Sequence, residues 1–301
     1  MIVECVPNIS EGRDPVVVSR IALSVQAVEH VALLDKTSDP DHNRSVLTFA
    51  GKPHAVGDAA FEAVRSAVES IDIRSHTGVH PRLGAADVVP FVPVDRVSLR
   101  GCAAMSRVVG ARIWQELRVP VYLYECAALR PECGTLESVR RLAPAGLAPD
   151  FGEGRHPTAG ACVVGARKFL VAWNINLRTR DLTAAREIAR GIRASGGGLP
   201  AVKALGLALE SRGEVQVSIN LVDFEVTPLH TVFDAVAAKC RERGIEIVGS
   251  ELIGMIPAAA LEASAGHDLH WLNLRPELVV ENRLRGLLLA YSSDAGRLRR
   301  N

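Results

Sequence analysis

VALLDKTSDPDHNRSVLTFA, residues 31–50, holds two short apolar runs, 31–35 and 45–50, on either side of a polar segment. Runs of this length, rich in Val, Leu and Phe and separated by Asp, Pro and Asn, predict two strands of one sheet. On either side of this pair, helical spacing at 15–28 and an alanine-rich stretch at 54–69 predict two helices.

Further apolar runs complete a repeated unit. The runs at 2–6 and 87–94 supply its first and last strands, which gives the order β-α-β-β-α-β of a split βαβ, ferredoxin-like unit. The same order recurs between residues 168 and 249. We therefore predict an α+β protein of two ferredoxin-like subdomains packed together, with limits at 1–178 and 179–301.

Several helices begin at residues that favour a helix start. Ser98 precedes a helix that extends to about residue 118, and Asp181 or Thr183 precedes one at 182–195. Thr227, followed by proline, is expected to cap the last helix of the second half.

The composition is that of a soluble globular protein of 301 residues, 48% hydrophobic and 23% charged. Its 35 Lys and Arg against 34 Asp and Glu leave a net charge of +1, which argues against nucleic acid and anionic membranes as partners. No apolar run is long enough for a membrane span, and no secretory signal is recognised. The cysteines lack CxxC spacing and are expected to be buried thiols of a cytoplasmic protein. They are Cys5, Cys102, Cys126, Cys133, Cys162 and Cys240.

The segment 74–82 is the strongest candidate for catalysis, because it holds Arg74, His76, His80 and Arg82 within nine residues. A histidine among arginines is typical of a general base beside an anionic substrate, since the cations favour the neutral ring. A polar surface loop is the ordinary alternative. Metal binding by the two histidines is disfavoured, because a glycine and a proline interrupt any helix there.

Three other segments concentrate polar residues or glycine. Residues 38–44 are either a polar hairpin loop or a donor-binding loop, in which Asp39 or Asp41 pairs with a cationic group. Residues 149–160 are either a crossover between subdomains or a loop that lines a ligand, and they lack the pattern of a phosphate loop. Residues 4–13 are a strand end followed by helix-capping residues.

Together these segments resemble the formiminotransferase domain, the N-terminal half of the animal formiminotransferase–cyclodeaminases, which also occurs as single-function bacterial enzymes. The resemblance covers residues 2 to about 284. It is carried by VECVPNISEG at 3–12, NR at 43–44, HTGVHPRLGAADVVPFVP at 76–93, PDFG at 149–152, GARK at 165–168, NIN at 174–176 and DFEVT at 223–227.

The resemblance implies a glutamate formimidoyltransferase that moves a formimino group from formiminoglutamate to tetrahydrofolate, a co-substrate, with His80 as general base and no metal. It also implies a homodimer, an active-site tunnel between the subdomains, and a role in histidine degradation alongside a separate cyclodeaminase. The candidate substrate-binding residues are Asp39, Asp41, His42, Asn43, Arg44, Arg74 and Arg82. The candidate folate-binding residues are Gly152, Glu153, Gly154, Arg155, His156, Pro157, Thr158, Ala159 and Gly160.

This chain departs from the animal members in two places: its folate loop is one residue shorter, and Thr37 stands where they have an acidic residue. Two alternatives remain open from the sequence, a transferase with another donor such as formiminoglycine and a catalytically silent folate-binding paralogue. A metal-dependent amidohydrolase is a third and more distant one.

Overall fold

The computed structural model describes residues 1–40, 42–78, 81–209 and 212–285. The chain divides into two compact units between Lys168 and Phe169. This division lies earlier than residue 178, because the strand that ends at Leu177 pairs with strands of the second unit.

The first unit begins with the predicted β-α-β-β-α-β order and adds further elements after it. Its helices and strands are β1 (Ile2–Cys5), β2 (Asn8–Ile9), α1 (Pro15–Gln26), β3 (Val31–Asp39), β4 (Arg44–Gly51), α2 (Pro53–Ser70), β5 (Ala86–Asp95), α3 (Leu99–Leu117), β6 (Val121–Glu125), α4 (Leu136–Leu142) and β7 (Cys162–Ala166). A 3₁₀ turn, Pro131–Cys133, precedes α4.

The strands of the first unit form a seven-stranded sheet within the described residues. β4 pairs antiparallel with β3 on one side and with β1 and β2 on the other. β5 lies beyond β1 and β2, and β7 and β6 follow it in parallel. Asn8 in β2 lies opposite Val46 and Val88, so the starts of β4 and β5 lie on either side of one short strand.

Side chains cap some helices of this unit, but α1 is capped by Asp14 and not by the expected Ser10 or Glu11, and α2 follows Lys52 without a side-chain cap. Asp14 accepts hydrogen bonds from the backbone N–H groups of Val16 and Val17 ahead of α1. Ser98 accepts one from Gly101 at the start of α3, as the sequence predicts. Apolar faces of α1, α2 and α3 pack on the sheet in one core, and a smaller cluster around Tyr122 and Val139 lies under α4.

The second unit repeats the order β-α-β-β-α-β. Its elements are β8 (Val171–Leu177), α5 (Leu182–Ile192), β9 (Val202–Leu209), β10 (Glu214–Leu221), α6 (Leu229–Glu242), β11 (Ile247–Ile253) and α7 (Ala258–Glu262), with 3₁₀ turns Ala194–Gly196 and Pro276–Leu278. The sheet order is β11-β8-β10-β9, all antiparallel. Asp181 caps α5.

Three sequence expectations need correction. Thr227 does not cap α6: the N-cap residue is Pro228, and the Thr227 hydroxyl donates to the carbonyl of Pro200 at 2.6 Å. Cys126 is exposed, whereas the other five cysteines are buried; all six are free. The strand expected at 168–177 begins only at Val171, and the preceding apolar run forms β7. None of the helices in the described part of the chain has the length and apolar character to cross a bilayer.

Candidate active site

A fully buried carboxylate, Asp87, joins three parts of the first unit at the start of β5. Its Oδ2 accepts hydrogen bonds from Arg44 Nη1 at 2.8 Å and from Arg140 Nη2 at 2.6 Å. Its Oδ1 accepts one from the backbone N–H of Leu83 at 2.7 Å. The residue is 0% exposed, and burial of a carboxylate is tolerated where cations and N–H groups compensate it.

Arg44, at the first position of β4, has all three guanidinium nitrogens in contact with protein. Nε and Nη2 donate to Asn8 Oδ1 at 3.1 and 2.8 Å, in addition to the Nη1 contact with Asp87. Burial lowers the pKa of Arg44, and the neighbouring Asp87 acts in the opposite direction. An arginine stays protonated under such conditions. Arg44 therefore ties β4 to β2 and β5 as a charged cross-link.

Two glycines allow three backbone segments to touch. A Cβ on Gly12 would lie 2.3 Å from the carbonyl oxygen of Asp39 and 2.5 Å from the backbone nitrogen of Arg44. A Cβ on Gly78 would lie 2.6 Å from the carbonyl oxygen of His42. Parts of the segments 4–13, 38–44 and 74–82, each singled out separately from the sequence, thus meet in one place.

The 38–44 segment is a hairpin whose ends, Asp39 and Arg44, pair in the β3–β4 ladder, and side chains add further bonds. Asp39 accepts from the backbone N–H of His42 at 2.9 Å and contacts its Nδ1 at 2.6 Å. Asn43 has a left-handed backbone with φ of 48° and is 6% exposed. Its Oδ1 accepts from Gly12 N at 2.9 Å, and its Nδ2 donates to Thr77 O at 3.0 Å. Asn43 thus links three segments; Asp41 lies outside the described residues.

His76 and Arg82 form a polar pair beneath Gly78. His76 Nε2 lies 3.1 Å from the carbonyl oxygen of Asn43, and Arg82 Nη1 contacts His76 Nδ1. A neutral ring with its proton on Nε2 would donate to this carbonyl and accept from the guanidinium at Nδ1. Arg82 Nη2 also donates to Gly78 O at 2.9 Å. His80, the predicted general base, lies outside the described residues.

Arg74 differs from the other arginines of the predicted set. Its side chain is 66% exposed, compared with 15% for Arg44. It donates from Nε to Asp72 Oδ1 at 2.9 Å, and hydrogen bonds from Arg74 lower the pKa of Asp72 to about 2. Within the predicted substrate-binding set, Arg74 is therefore an exposed cation on a local carboxylate.

The predicted folate loop contains a closed turn whose end runs beside Ile73 and Ala85. His156 and Gly160 exchange backbone hydrogen bonds at 2.8 and 3.0 Å, and His156 Nδ1 accepts from Ala159 N at 3.0 Å. Thr158 O accepts from Ile73 N at 2.7 Å.

The backbone of this loop favours glycine at both ends. Gly152 and Gly160 have φ of +89° and +72°, and a Cβ on Gly152 would meet the Trp114 ring. The turn thus lies against residues 72–73 and 83–85. Glu153, Gly154, Arg155 and Pro157 are exposed.

Sequence reasoning missed several residues of this region, above all Asp87 and Arg140. Arg13 was also missed; it donates from Nε to Pro40 O at 2.8 Å and from Nη1 to Thr77 Oγ1 at 3.2 Å. One signal for Asp87 was present, since it is the only charged residue in the apolar run 87–94. No sequence signal connects it to Arg140, which is 53 positions away.

Chemically, the centre of the region is an ion cluster in which two arginines share one buried carboxylate. Arg44 and Arg140 both contact Asp87, and the charge of Arg82 further lowers the pKa of Arg44. Such a cluster suits an anionic ligand, since guanidinium groups bind carboxylates well. Among the described residues, no three His, Cys, Asp or Glu side chains lie together in a way that would hold a metal ion.

Sequence comparison assigns both units to one family. The model of the Formiminotransferase domain, N-terminal subdomain, matches residues 2–167, and that of the Formiminotransferase domain matches residues 172–283. The chain belongs to the formiminotransferase family. The two matches meet close to the division between Lys168 and Phe169, so each structural unit corresponds to one part of the family domain.

Curated formiminotransferases are similar over most of this chain. A glutamate formimidoyltransferase of Streptococcus pyogenes serotype M1 is 44% identical over 270 residues, which cover 86% of this chain and 90% of that protein. One of Thermoplasma acidophilum is 41% identical over 271 residues, or 86% and 89% of the two chains. The formimidoyltransferase-cyclodeaminase of Rattus norvegicus is 43% identical over 276 residues, which cover 86% of this chain but 51% of that protein.

Proposed function

We propose that this chain is a glutamate formimidoyltransferase, which transfers the formimino group of N-formimino-L-glutamate to N5 of tetrahydrofolate. The observation that carries the proposal is the match over nine-tenths of the Streptococcus pyogenes relative that bears this name. The local geometry supports it, because segments 10–13, 38–44, 76–84 and 156–160 contact one another within a single unit.

The proposed reaction is the exchange of one amine for another on an amidine carbon. N5 of tetrahydrofolate attacks the carbon of protonated formiminoglutamate and gives its proton to His80 as the new C–N bond forms. The old C–N bond then breaks as the glutamate nitrogen takes up a proton from His80. The products are glutamate and 5-formiminotetrahydrofolate. The exchange balances without a metal or a covalent enzyme intermediate.

The described residues support distinct roles around this step. Asp39, or Asp41, stabilises the amidinium charge as the carbon is attacked. Arg74 is the arginine we assign to a substrate carboxylate, because its side chain is far more exposed than that of Arg44. Arg44 and Arg82 contribute positive charge without direct contact to the substrate, since their guanidinium N–H groups already donate to protein atoms. His42 and Asn43 hold the 38–44 loop.

Folate is assigned to the 152–160 loop. Its exposed half, 153–155, is free of regular secondary structure, whereas its second half is fixed by the turn between His156 and Gly160. A fixed turn beside the 72–85 segment would hold the two substrates near each other, which supplies proximity. We further propose a cytoplasmic homodimer that acts in histidine degradation alongside a separate cyclodeaminase.

The experiment is a transfer assay on purified protein with formiminoglutamate and tetrahydrofolate, read as glutamate released and formiminoglutamate lost by mass spectrometry. We expect turnover in the wild type and a loss of about 10²- to 10⁴-fold in His80→Ala, the usual contribution of a general base. His54→Ala is the matched control, since His54 lies exposed on α2 outside the four segments.

The outcomes separate the claims. A wild type that is inactive with formiminoglutamate but active with formiminoglycine would replace the donor, and inactivity with both alongside folate binding would indicate a silent paralogue. Full activity of His80→Ala would leave the reaction in place and remove its assigned base.

A further inference from the structure

We propose that Asp87 is the positioning residue of the site: one buried carboxylate fixes both the segment after the predicted base and the strand that follows the donor loop. The inference rests on the proposed transferase function and extends it to a residue that contacts neither substrate. The bond from Leu83 N–H holds the segment that follows His80 in the sequence. The bond from Arg44 holds the end of the 38–44 loop.

The two carboxylate oxygens of Asp87 accept hydrogen bonds from different donors. Oδ1 accepts the backbone N–H of Leu83, and Oδ2 accepts both guanidinium groups. Since Arg44 also donates twice to Asn8, its orientation is fixed from two sides. Loss of the Oδ2 charge would remove the carboxylate that Arg44 Nη1 and Arg140 Nη2 share and leave the two positive charges uncompensated there.

The ordinary alternative is an ion pair that stabilises the fold and does nothing else. It predicts that any loss of activity follows the loss of folded protein. Positioning predicts a slower reaction in fully folded protein, because displacement of reacting groups by about 1 Å costs about 10²-fold in rate.

Asp87→Asn is the first variant, because asparagine keeps the size and can still accept from Leu83 through Oδ1. We expect kcat to fall about 10²-fold at a temperature where the protein is folded, with a much smaller change in KM. Ile21→Val, a buried position on α1 away from the polar cluster, is the control for lower stability.

A second variant restores the charge balance. Asp87→Asn with Arg140→Gln leaves one positive charge in the cluster, as in the wild type with two arginines and one carboxylate. We expect this double variant to regain stability and solubility relative to Asp87→Asn while kcat stays low, because Arg44 Nη1 still lacks the carboxylate that holds it against β5. Recovery of kcat together with stability would overturn positioning. The double variant also decides the question if Asp87→Asn alone does not fold.

Hydrogen–deuterium exchange supplies a readout that needs no turnover. Positioning predicts faster exchange at 42–46 and 82–86 in both Asp87 variants, with no such change in Ile21→Val. If the Asp87 variants show unchanged exchange and unchanged kcat, the positioning role of Asp87 is refuted. The transferase proposal would still stand, because the wild type turns over. An inactive wild type would instead refute the transferase proposal, and exchange would still decide whether Asp87 fixes these segments.

Discussion

Gly12→Ala is the smallest change that tests whether contact between the loops matters for turnover. Its new Cβ would lie 2.3 Å from Asp39 O, 2.5 Å from Arg44 N and 2.8 Å from Arg44 O. All three atoms belong to the backbone, so no side-chain rotation relieves the overlap. The Gly12 N–H also donates to Asn43 Oδ1, which holds the two segments together at this point.

The size of the effect follows from these distances. Carbon contacts with oxygen or nitrogen are comfortable at about 3.4 Å or more, so the 38–44 loop must move by about 1 Å. Overpacking of this kind costs about 1–3 kcal/mol of folding free energy. A shift of about 1 Å in residues that orient a substrate reduces kcat/KM about 10²-fold. We therefore expect folded protein with poor turnover.

The assay is the formimino transfer reaction, with urea unfolding measured on the same preparations. Gly101→Ala is the matched control: it lies in the first turn of α3, where a Cβ would have ordinary contacts at 3.4 and 3.5 Å. Alanine is also favoured there over glycine by helix propensity. Wild-type kcat/KM in Gly12→Ala would refute the idea that close contact of these loops shapes the site.

Two further outcomes are expected. Arg74→Gln should raise KM for formiminoglutamate about 10-fold with kcat and stability nearly unchanged, since exposed ion pairs contribute little to stability. It should also return the pKa of Asp72 from about 2 towards its ordinary value, because the hydrogen bonds from Arg74 cause the depression; a carboxyl NMR titration measures this, and an unmoved pKa or KM would contradict the assignment. Native protein should react with a thiol reagent at Cys126 alone of its six cysteines, because the others are buried and burial raises the pKa of Cys102 to about 11; rapid labelling of a second thiol before unfolding would contradict this.

Much of the fold could be predicted from the sequence because its pattern is local. Strands β3 and β4 follow from two apolar runs around a polar loop, and the starts of α3 and α5 from Ser98 and Asp181. Helix α4 was missed, since it has only seven residues and little apolar pattern. Thr227 was misjudged because a carbonyl 27 residues away competes for its hydroxyl.

The segments that form the candidate site could be predicted from the sequence, but the roles of their individual residues were harder to predict. Polar residue types in 38–44 and 74–82 indicated substrate binding, yet Asn43 and Arg44 use their polar atoms on protein partners. The residue type determines which hydrogen bonds a side chain can make. The fold determines which groups lie close enough to make them. Asp87 shows the converse: it is the only charged residue of the apolar run 87–94, and its partners Arg44 and Arg140 are both distant in sequence.

An arginine whose donors are occupied can still act on a ligand through its charge. A guanidinium whose N–H groups already donate to protein atoms forms no direct hydrogen bond with a ligand. Its Coulomb interaction with the ligand still acts over several ångströms where burial limits screening. Arg44 and Arg140 together carry two positive charges against the single carboxylate of Asp87, and both are largely buried. We expect the one positive charge left over in this cluster to favour a substrate carboxylate nearby without movement of side chains. Arg74, which is 66% exposed although it also donates to Asp72, would then make the direct contact while the loops that hold the reacting groups stay in place.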